Sequence, residues 1–236
     1  MSEIKNAIWI TGASSGIGKA ITEKFIGSGY YVIATSRNQQ LLQQLAESLK
    51  NSNLIHTYKL DIKNPDEIKK FYENLDADIK VECLINNAGI TSFKNAIDDS
   101  IPEIEDIINT NLMGSIYSIK QVLPDMIKQN RGTILNVLSV VTKKVFVSSS
   151  AYSASKAGLL AYTNVLREEV RGKNIRVINI SPGATNTNIW PEKTRNKFSE
   201  RMMDIDSVAE FVLHLYKEKS NLVAEDIVLR PLTGDL

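Results

Sequence analysis

The sequence predicts an α/β protein, a doubly wound parallel β-sheet of about seven strands with helices on both faces. The first observation is that short apolar runs alternate with segments whose apolar residues recur at helical spacing. The second is that most apolar runs are unbroken, which is typical of strands buried on both faces of a parallel sheet. Ligands of such a sheet bind beyond the carboxyl ends of its strands.

The first predicted strand and helix are joined by a glycine loop. Residues 7–11 are a short apolar run that ends at TGASSGIG, and a helical pattern then continues until Gly27 and Gly29 stop it. Residues 31–35 form the second predicted strand, and leucines at helical spacing follow it. Residues 53–60 form the third strand.

The next helix has a clear start signal. In Asn64-Pro65-Asp66-Glu67, Asn64 is the expected cap, Pro65 takes the first helical position, and Glu67 is placed to complete a capping box. Residues 81–85 follow as the fourth strand and lead into the turn NNAG.

A long helix is predicted to begin at Ser100 and to run through Asn111 to Ile127. Pro124 is expected to kink or end it, because proline removes a backbone hydrogen bond. Residues 133–137 form the fifth strand.

The last part of the chain repeats the alternation. A helix is predicted at residues 151–171, a strand at 176–180, a turn at 181–183, a helix at 206–217 and a final strand at 226–229. No linker, repeat or break in composition divides the chain. One doubly wound domain is therefore predicted over the whole length, with a short segment near residues 188–204 that would cover the ligand site beyond the strand ends.

The composition excludes several classes of function. A formal charge of +1, from 28 basic and 27 acidic residues, gives no electrostatic footprint for nucleic acid or an anionic membrane. A single cysteine and two scattered histidines give no metal-ligand spacing. No apolar run has the length of a signal peptide or a membrane span, so we expect a cytoplasmic protein without metal, nucleic-acid or membrane partners.

Two features of the amino-terminal part indicate a nucleotide. The spacing Gly12-x-x-x-Gly16-x-Gly18 between a strand and a helix permits a tight turn and the approach of a pyrophosphate to backbone N–H groups. At the end of the second strand, Arg37 stands where an acidic residue would favour NAD, and an arginine there suits the 2′-phosphate of NADP. The alternatives are an ordinary strand-to-helix turn and a solvated loop arginine.

The pair Tyr152 and Lys156 indicates acid/base chemistry. Four residues apart on a helix, the two side chains share one face, and a neighbouring positive charge favours the phenolate of tyrosine. We therefore expect Lys156 to lower the pKa of Tyr152. The alternative is a solvent-facing helical pair without function.

These segments together resemble the short-chain dehydrogenase/reductase family, of the compact type with one Rossmann-fold domain. The resemblance extends from the first strand nearly to the last residue. It rests on TGASSGIG, Asp61 after the third strand, NNAG, Asn111, Ser139 after the fifth strand, the Tyr152–Lys156 pair, and Pro182-Gly183 after the sixth strand.

The resemblance implies a role for each matching residue. Asn111 would hold a water or a lysine in a proton relay, and Ser139 would hydrogen-bond the substrate carbonyl. Tyr152 would be the general acid/base, and Lys156 would grip the nicotinamide ribose. The implied NADP(H) site comprises Gly12, Ser14, Ser15, Gly16, Ile17, Gly18, Arg37, Asp61, Ile62, Asn87, Ala88, Gly89, Tyr152, Lys156, Pro182, Gly183, Thr185 and Thr187.

The predicted function is NADP-dependent hydride transfer between a small-molecule carbonyl and the corresponding alcohol. The alternatives are a nucleotide sensor without turnover and a scaffold on the same fold. The family's habit of pairing long helices implies a homodimer or homotetramer. Substrate identity is expected to reside in residues 90–93, 140–147 and 188–203, whose apolar side chains suggest a substrate with a hydrophobic portion.

Overall fold

A computed structural model describes residues 4–218 and 221–236. Its strands form one parallel sheet of seven strands in the order β3-β2-β1-β4-β5-β6-β7, which confirms the predicted doubly wound fold. The strands are β1 (Lys5–Thr11), β2 (Tyr31–Ser36), β3 (Ile55–Lys59), β4 (Ile79–Asn86), β5 (Gly132–Val137), β6 (Ile175–Pro182) and β7 (Asp226–Leu229).

Eight α-helices cover the sheet in the described part of the chain. They are α1 (Gly16–Gly27), α2 (Gln39–Ser48), α3 (Pro65–Glu73), α4 (Ile101–Ile108), α5 (Gly114–Gln129), α6 (Ser150–Val170), α7 (Glu192–Phe198) and α8 (Ile205–Lys217). In β1, Ile8 and Ile10 pack with α1, α2 and α8, whereas Ala7 and Trp9 pack with α3, α5 and α6. Both faces of the strand are buried, which explains its unbroken apolar run.

Several strand boundaries differ from the prediction by one or two residues, and the differences at the third and sixth strands have a visible cause. The third strand is shorter, because Ser52–Leu54 forms a 3₁₀ turn before Ile55. The sixth is longer: Ser181 and Pro182, predicted to turn, pair with Val228 and Leu229 of β7. Proline is tolerated at this strand end, where the missing N–H is least needed.

The two helix starts behave differently. Ser100 and Glu103 form the full capping box at the start of α4. At α3, Asn64 caps two backbone N–H groups as expected, but Glu67 accepts from the Asn64 side-chain amide and from the backbone N–H of Asp61. The capping box predicted there is therefore wrong, and Glu67 instead ties the loop after β3 to the helix.

The predicted long helix is interrupted. A π-helical turn, Asn109–Met113, separates α4 from α5, and a bulge of this kind often marks a functional site. Pro124 lies inside α5 and does not end it. Lys120, whose carbonyl loses its helical partner at Pro124, is exposed, so water can satisfy that oxygen.

A ladder of buried asparagines crosses the sheet. Asn86 Nδ2 donates to Asn136 Oδ1 at 2.9 Å, and Asn136 Nδ2 donates to Asn179 Oδ1 at 3.0 Å. Asn179 Nδ2 in turn donates to Asp226 Oδ1 at 3.0 Å. Because a shift in register would break these bonds, the ladder holds β4, β5, β6 and β7 in alignment.

None of the helices in the described part of the chain is both long and apolar enough to span a membrane. Among residues 4–218 and 221–236, no group of three or more histidine, cysteine, aspartate or glutamate side chains is placed to hold a metal ion.

Candidate active site

A cleft of about 770 Å³ opens where the strands end, at the edge of the sheet where parallel folds bind ligands. Most of the predicted site residues line this cleft, and Gly18 and Asn111 do not. The lining residues predicted from the sequence are Gly12, Ser14, Ser15, Gly16, Ile17, Arg37, Asp61, Ile62, Asn87, Ala88, Gly89, Ser139, Tyr152, Lys156, Pro182, Gly183, Thr185 and Thr187.

The glycine loop has no room for a side chain at Gly12 or at Gly18. Gly12 has φ +65°, and a Cβ there would lie 2.7 Å from the Cα of Ala88. A Cβ on Gly18 would lie 2.3 Å from Asn87 Nδ2, which donates to the carbonyls of Thr11 and Gly12. Gly18 therefore acts indirectly, because it lets Asn87 fasten the loop after β4 to the glycine loop.

The amino terminus of α1 faces the cleft without a side-chain cap. Ser15 is the N-cap residue and its hydroxyl makes no capping bond, and the first turn contains no acidic residue. Ser14, Gly16 and Ile17 line the cleft beside it. Uncapped N–H groups at the positive end of a helix form a site for an anion such as a pyrophosphate.

Arg37 and Asp61 stand at the ends of neighbouring strands. Arg37 is exposed directly after β2 and makes no ion pair with any other residue of the described ranges. Asp61 Oδ1 accepts the Lys63 N–H at 3.0 Å, and Lys63 Nζ lies 2.7 Å from Asp106 Oδ1. That hydrogen bond to Asp106 raises the pKa of Lys63. Lys63 is thus paired with Asp106, and the side chain of Arg37 is available to bind an anionic ligand.

Lys156 is buried beside Tyr152. Its Nζ lies 5.9 Å from the centre of the Tyr152 ring and donates to the backbone carbonyl of Val137 at 2.7 Å. Burial of the ammonium lowers the pKa of Lys156 to about 8. The one carbonyl bond orients the side chain, and its other N–H groups remain for a ligand.

The electrostatics of Tyr152 differ from the expectation. Burial raises the pKa of its phenol, and a side-chain hydrogen bond with Ser139 opposes that increase only in part. In the protein without a cofactor the pKa of Tyr152 is therefore raised, because desolvation of the phenolate is the largest effect. That the positive charge of Lys156 favours the phenolate stays a prediction. At neutral pH Tyr152 is protonated and can donate a proton.

Asn111, whose expected role in a proton relay stays a prediction, makes its side-chain bonds within the protein. It lies in the π-helical turn, where its Oδ1 accepts the Ile90 N–H at 2.8 Å and its Nδ2 donates to the Ile90 carbonyl at 2.9 Å. Nδ2 also donates to Ser155 Oγ at 3.0 Å, and Ser155 donates to the Tyr152 carbonyl at 2.7 Å. Asn111 thus positions the loop after β4 and the turn of α6 that carries Tyr152.

The three segments expected to select the substrate contribute unequally. From residues 188–203, the described residues that line the cleft are Asn188, Ile189 and Trp190. Met202 is buried, and the backbone N–H of Met203 donates to the Ala184 carbonyl at 2.8 Å.

Two groups at the cleft were not predicted from the sequence. Asp235 reaches the cleft from beyond β7 and pairs with Lys144 at 3.1 Å. The carbonyl of Val137, which holds Lys156, is a backbone group at the end of β5. Neither group could be predicted from the sequence. The position of Asp235 depends on how the chain folds back after β7, and a backbone carbonyl like that of Val137 is present in every residue.

The chain was compared with known proteins. The family model for short chain dehydrogenases matches residues 6–197. An NADP-dependent 3-hydroxy acid dehydrogenase from Escherichia coli (strain K12) is 34% identical over 178 residues, covering 75% of this chain and 71% of that protein. A 3-oxoacyl-[acyl-carrier-protein] reductase from Thermotoga maritima is 33% identical over 229 residues, covering 93% of each chain. The solved structure of the closed form of serine dehydrogenase complexed with NADP+ is similar, with a TM-score of 0.91 and 28% identity, covering 98% of this chain and 96% of that one.

Proposed function

Since the chain belongs to the short-chain dehydrogenases, a family of oxidoreductases, we propose that it is an NADP-dependent enzyme that interconverts a carbonyl compound and the corresponding alcohol. The observation that carries the proposal is the arrangement of Ser139, Tyr152 and Lys156 on one wall of the cleft. Tyr152 is hydrogen-bonded to Ser139, and Lys156 is buried beside its ring.

The residues of the cleft fit NADP. The closely packed Gly12 and Gly18 and the uncapped N–H groups at the start of α1 form a site that suits the pyrophosphate. Arg37, which has no ion-pair partner among residues 4–218 and 221–236, is the cation after β2 that suits a 2′-phosphate, and Asp61 and Ile62 line the same cleft for the adenine. A relative that is NADP-dependent and a solved neighbour in complex with NADP+ support this choice.

NADPH, when bound, supplies the hydride that converts a carbonyl carbon into an alcohol carbon. Ser139 and Tyr152 donate hydrogen bonds to the carbonyl oxygen, where negative charge develops. Tyr152 then gives its proton to that oxygen as general acid. The raised pKa of Tyr152 keeps this proton in place at neutral pH. Lys156, fixed by the Val137 carbonyl, holds the ribose side of the cleft and its positive charge stabilises the phenolate that remains.

Two other functions of the same fold remain as alternatives: a nucleotide sensor without turnover and a scaffold. A sensor has no need of a proton donor, so Tyr152 and Ser139 argue against it. The deciding experiment follows NADPH oxidation against a panel of ketones, aldehydes and quinones, with NADH in parallel. The enzyme proposal expects turnover with NADPH. Saturable NADPH binding without turnover would favour the sensor, and no binding at all would favour the scaffold.

A further inference from the structure

Part of the cleft is not accounted for by the cofactor and catalytic residues. It is walled by apolar side chains from the segments that follow β4, β5 and β6, and we call it the apolar pocket. The residues that define it are Ile90, Phe93, Val141, Phe146, Ile189 and Trp190.

Two aromatic rings close one wall of the apolar pocket. Phe93 and Trp190 stack with ring centres 5.0 Å apart and an interplanar angle of 24°. Phe93 has φ +53°, a strained backbone conformation for a bulky residue. Its ring remains 36% exposed, so burial in the core does not offset this strain. The backbone therefore holds an aromatic ring at the cleft, against a second ring from another segment.

A side-chain hydrogen bond joins two of the segments that form the apolar pocket. Ser148 has φ +60°, and its hydroxyl donates to Asn95 Oδ1 at 2.8 Å. This bond joins the segment after β4, which carries Phe93, to the segment after β5, which carries Phe146. The walls are thus linked to each other before any ligand binds, which reduces the ordering cost of binding.

The charges at the apolar pocket disfavour an anionic substrate. The charged side chains that line the whole cleft are Arg37, Asp61, Lys156 and Asp235. The first three belong to the cofactor and catalytic groups, and Asp235 is itself an acid. Lys144, on the segment after β5, pairs with Asp235 at 3.1 Å. Among the described lining residues, a substrate carboxylate finds no unpaired cation beyond the cofactor and catalytic groups.

We propose that the apolar pocket binds an uncharged aromatic ring attached to the reacting carbonyl or alcohol carbon, packed against Phe93 and Trp190. This inference rests on the proposed function, since it assigns the substrate class of the same site. A flat ring adds a third member to the aromatic pair, and stacked aromatic rings gain binding free energy beyond that of the area they bury. A saturated ring of the same size lacks that gain.

Calorimetry on the NADP+-saturated protein tests the proposal without requiring turnover. The probes are acetophenone, cyclohexyl methyl ketone, which has a saturated ring, and 3-hydroxypropionate, which has a carboxylate. We expect the Kd of acetophenone to be at least fivefold lower than that of the cyclohexyl ketone, and 3-hydroxypropionate to bind more weakly than both. Equal affinity for the two ketones, or tightest binding of the carboxylate, would overturn the proposal.

Two variants test whether the aromatic pair causes the preference for acetophenone. Trp190→Leu and Phe93→Leu keep an apolar side chain but remove a flat ring, so the preference for acetophenone should fall below twofold while NADP+ affinity is retained. Phe211→Leu on α8 is the matched control, because Phe211 is also 36% exposed but does not line the cleft. If one cleft variant fails to fold, the other still decides. A preference that survives in the folded variants contradicts the assignment.

The experiments distinguish a failure of the aromatic pocket from a failure of the proposed function. Turnover of aliphatic ketones with NADPH, without any preference for a ring, would refute the aromatic pocket and leave the oxidoreductase standing. Tight binding of acetophenone, with no carbonyl reduced under any condition, would refute the oxidoreductase and leave the pocket standing.

Discussion

Arg37 is the residue on which the choice of cofactor rests. It follows β2, is exposed, and has no ion-pair partner among the described residues. We expect Arg37→Gln to raise the KM for NADPH by about 10–100-fold, because a hydrogen bond to a charged group contributes about 1.5–3 kcal/mol. The KM for NADH, which lacks the 2′-phosphate, should change less than twofold. Steady-state kinetics with both cofactors checks this, and an equal loss with both would contradict it.

Lys156 gives the site a pH dependence. Burial lowers its pKa to about 8, so its ammonium loses the proton as pH rises through that value. Tyr152, whose pKa is raised, stays protonated across the same range. We expect kcat/KM for carbonyl reduction to fall above about pH 8, since the positive charge beside the developing phenolate disappears.

The variant Lys156→Arg separates this cause from others. A guanidinium remains charged throughout the range, so the decline near pH 8 should vanish even though the larger side chain lowers the maximal rate. A pH profile of the same shape in both proteins would show that another group titrates.

At the scale of the elements, the asparagine ladder joins the strands that carry the site. We expect Asn136→Val to lower the free energy of unfolding by about 2 kcal/mol or more, because Asn86 loses its buried acceptor and Asn179 a buried donor. Urea unfolding measures the change. The exposed Asn53→Val is the control, with an expected change within about 0.5 kcal/mol. A loss for Asn136→Val as small as that of the control would show that the ladder is dispensable.

The elements also show what a sequence can predict. The start of α4 at Ser100 was predicted, because its signals lie within four consecutive residues; the capping box of Ser100 and Glu103 was not predicted. The bonds of Asn111 were not, because its partners lie 21 and 44 positions away. Local patterns therefore predict where elements begin, and motif spacing predicts which residues meet at the cleft. Bonds between distant segments depend on the packed structure.

The direction of the Tyr152 pKa is a second example. Helical spacing correctly placed Lys156 beside the phenol, and Lys156 is 5.9 Å from its ring. The extent of burial, which raises the pKa of Tyr152, comes from the whole set of segments around the cleft and cannot be read from any one of them.

At the scale of the whole molecule, seven strands form one sheet, and the segments after all seven of them line one cleft. One domain over the whole chain stays a prediction, as does self-association into a dimer or tetramer. If the chain is one domain, thermal unfolding should show a single transition, and saturating NADP+ should raise its Tm. At a hundred times Kd, bound ligand stabilises by about 2.7 kcal/mol.

Differential scanning calorimetry measures both expectations, and NAD+ at the same concentration is the comparison. The shift with NADP+ should exceed the shift with NAD+. Two separate transitions would contradict the single domain, and an equal shift with both nucleotides would contradict the assignment of Arg37.

The central claim is that Tyr152 donates the proton in an NADPH-dependent carbonyl reduction. The most direct measurement compares Tyr152→Phe with Tyr162→Phe, which removes a hydroxyl from the same helix outside the cleft. We expect Tyr152→Phe to lower kcat by at least about 100-fold while the Kd for NADPH changes less than twofold. Tyr162→Phe should keep full activity. Turnover retained in Tyr152→Phe would contradict the central claim.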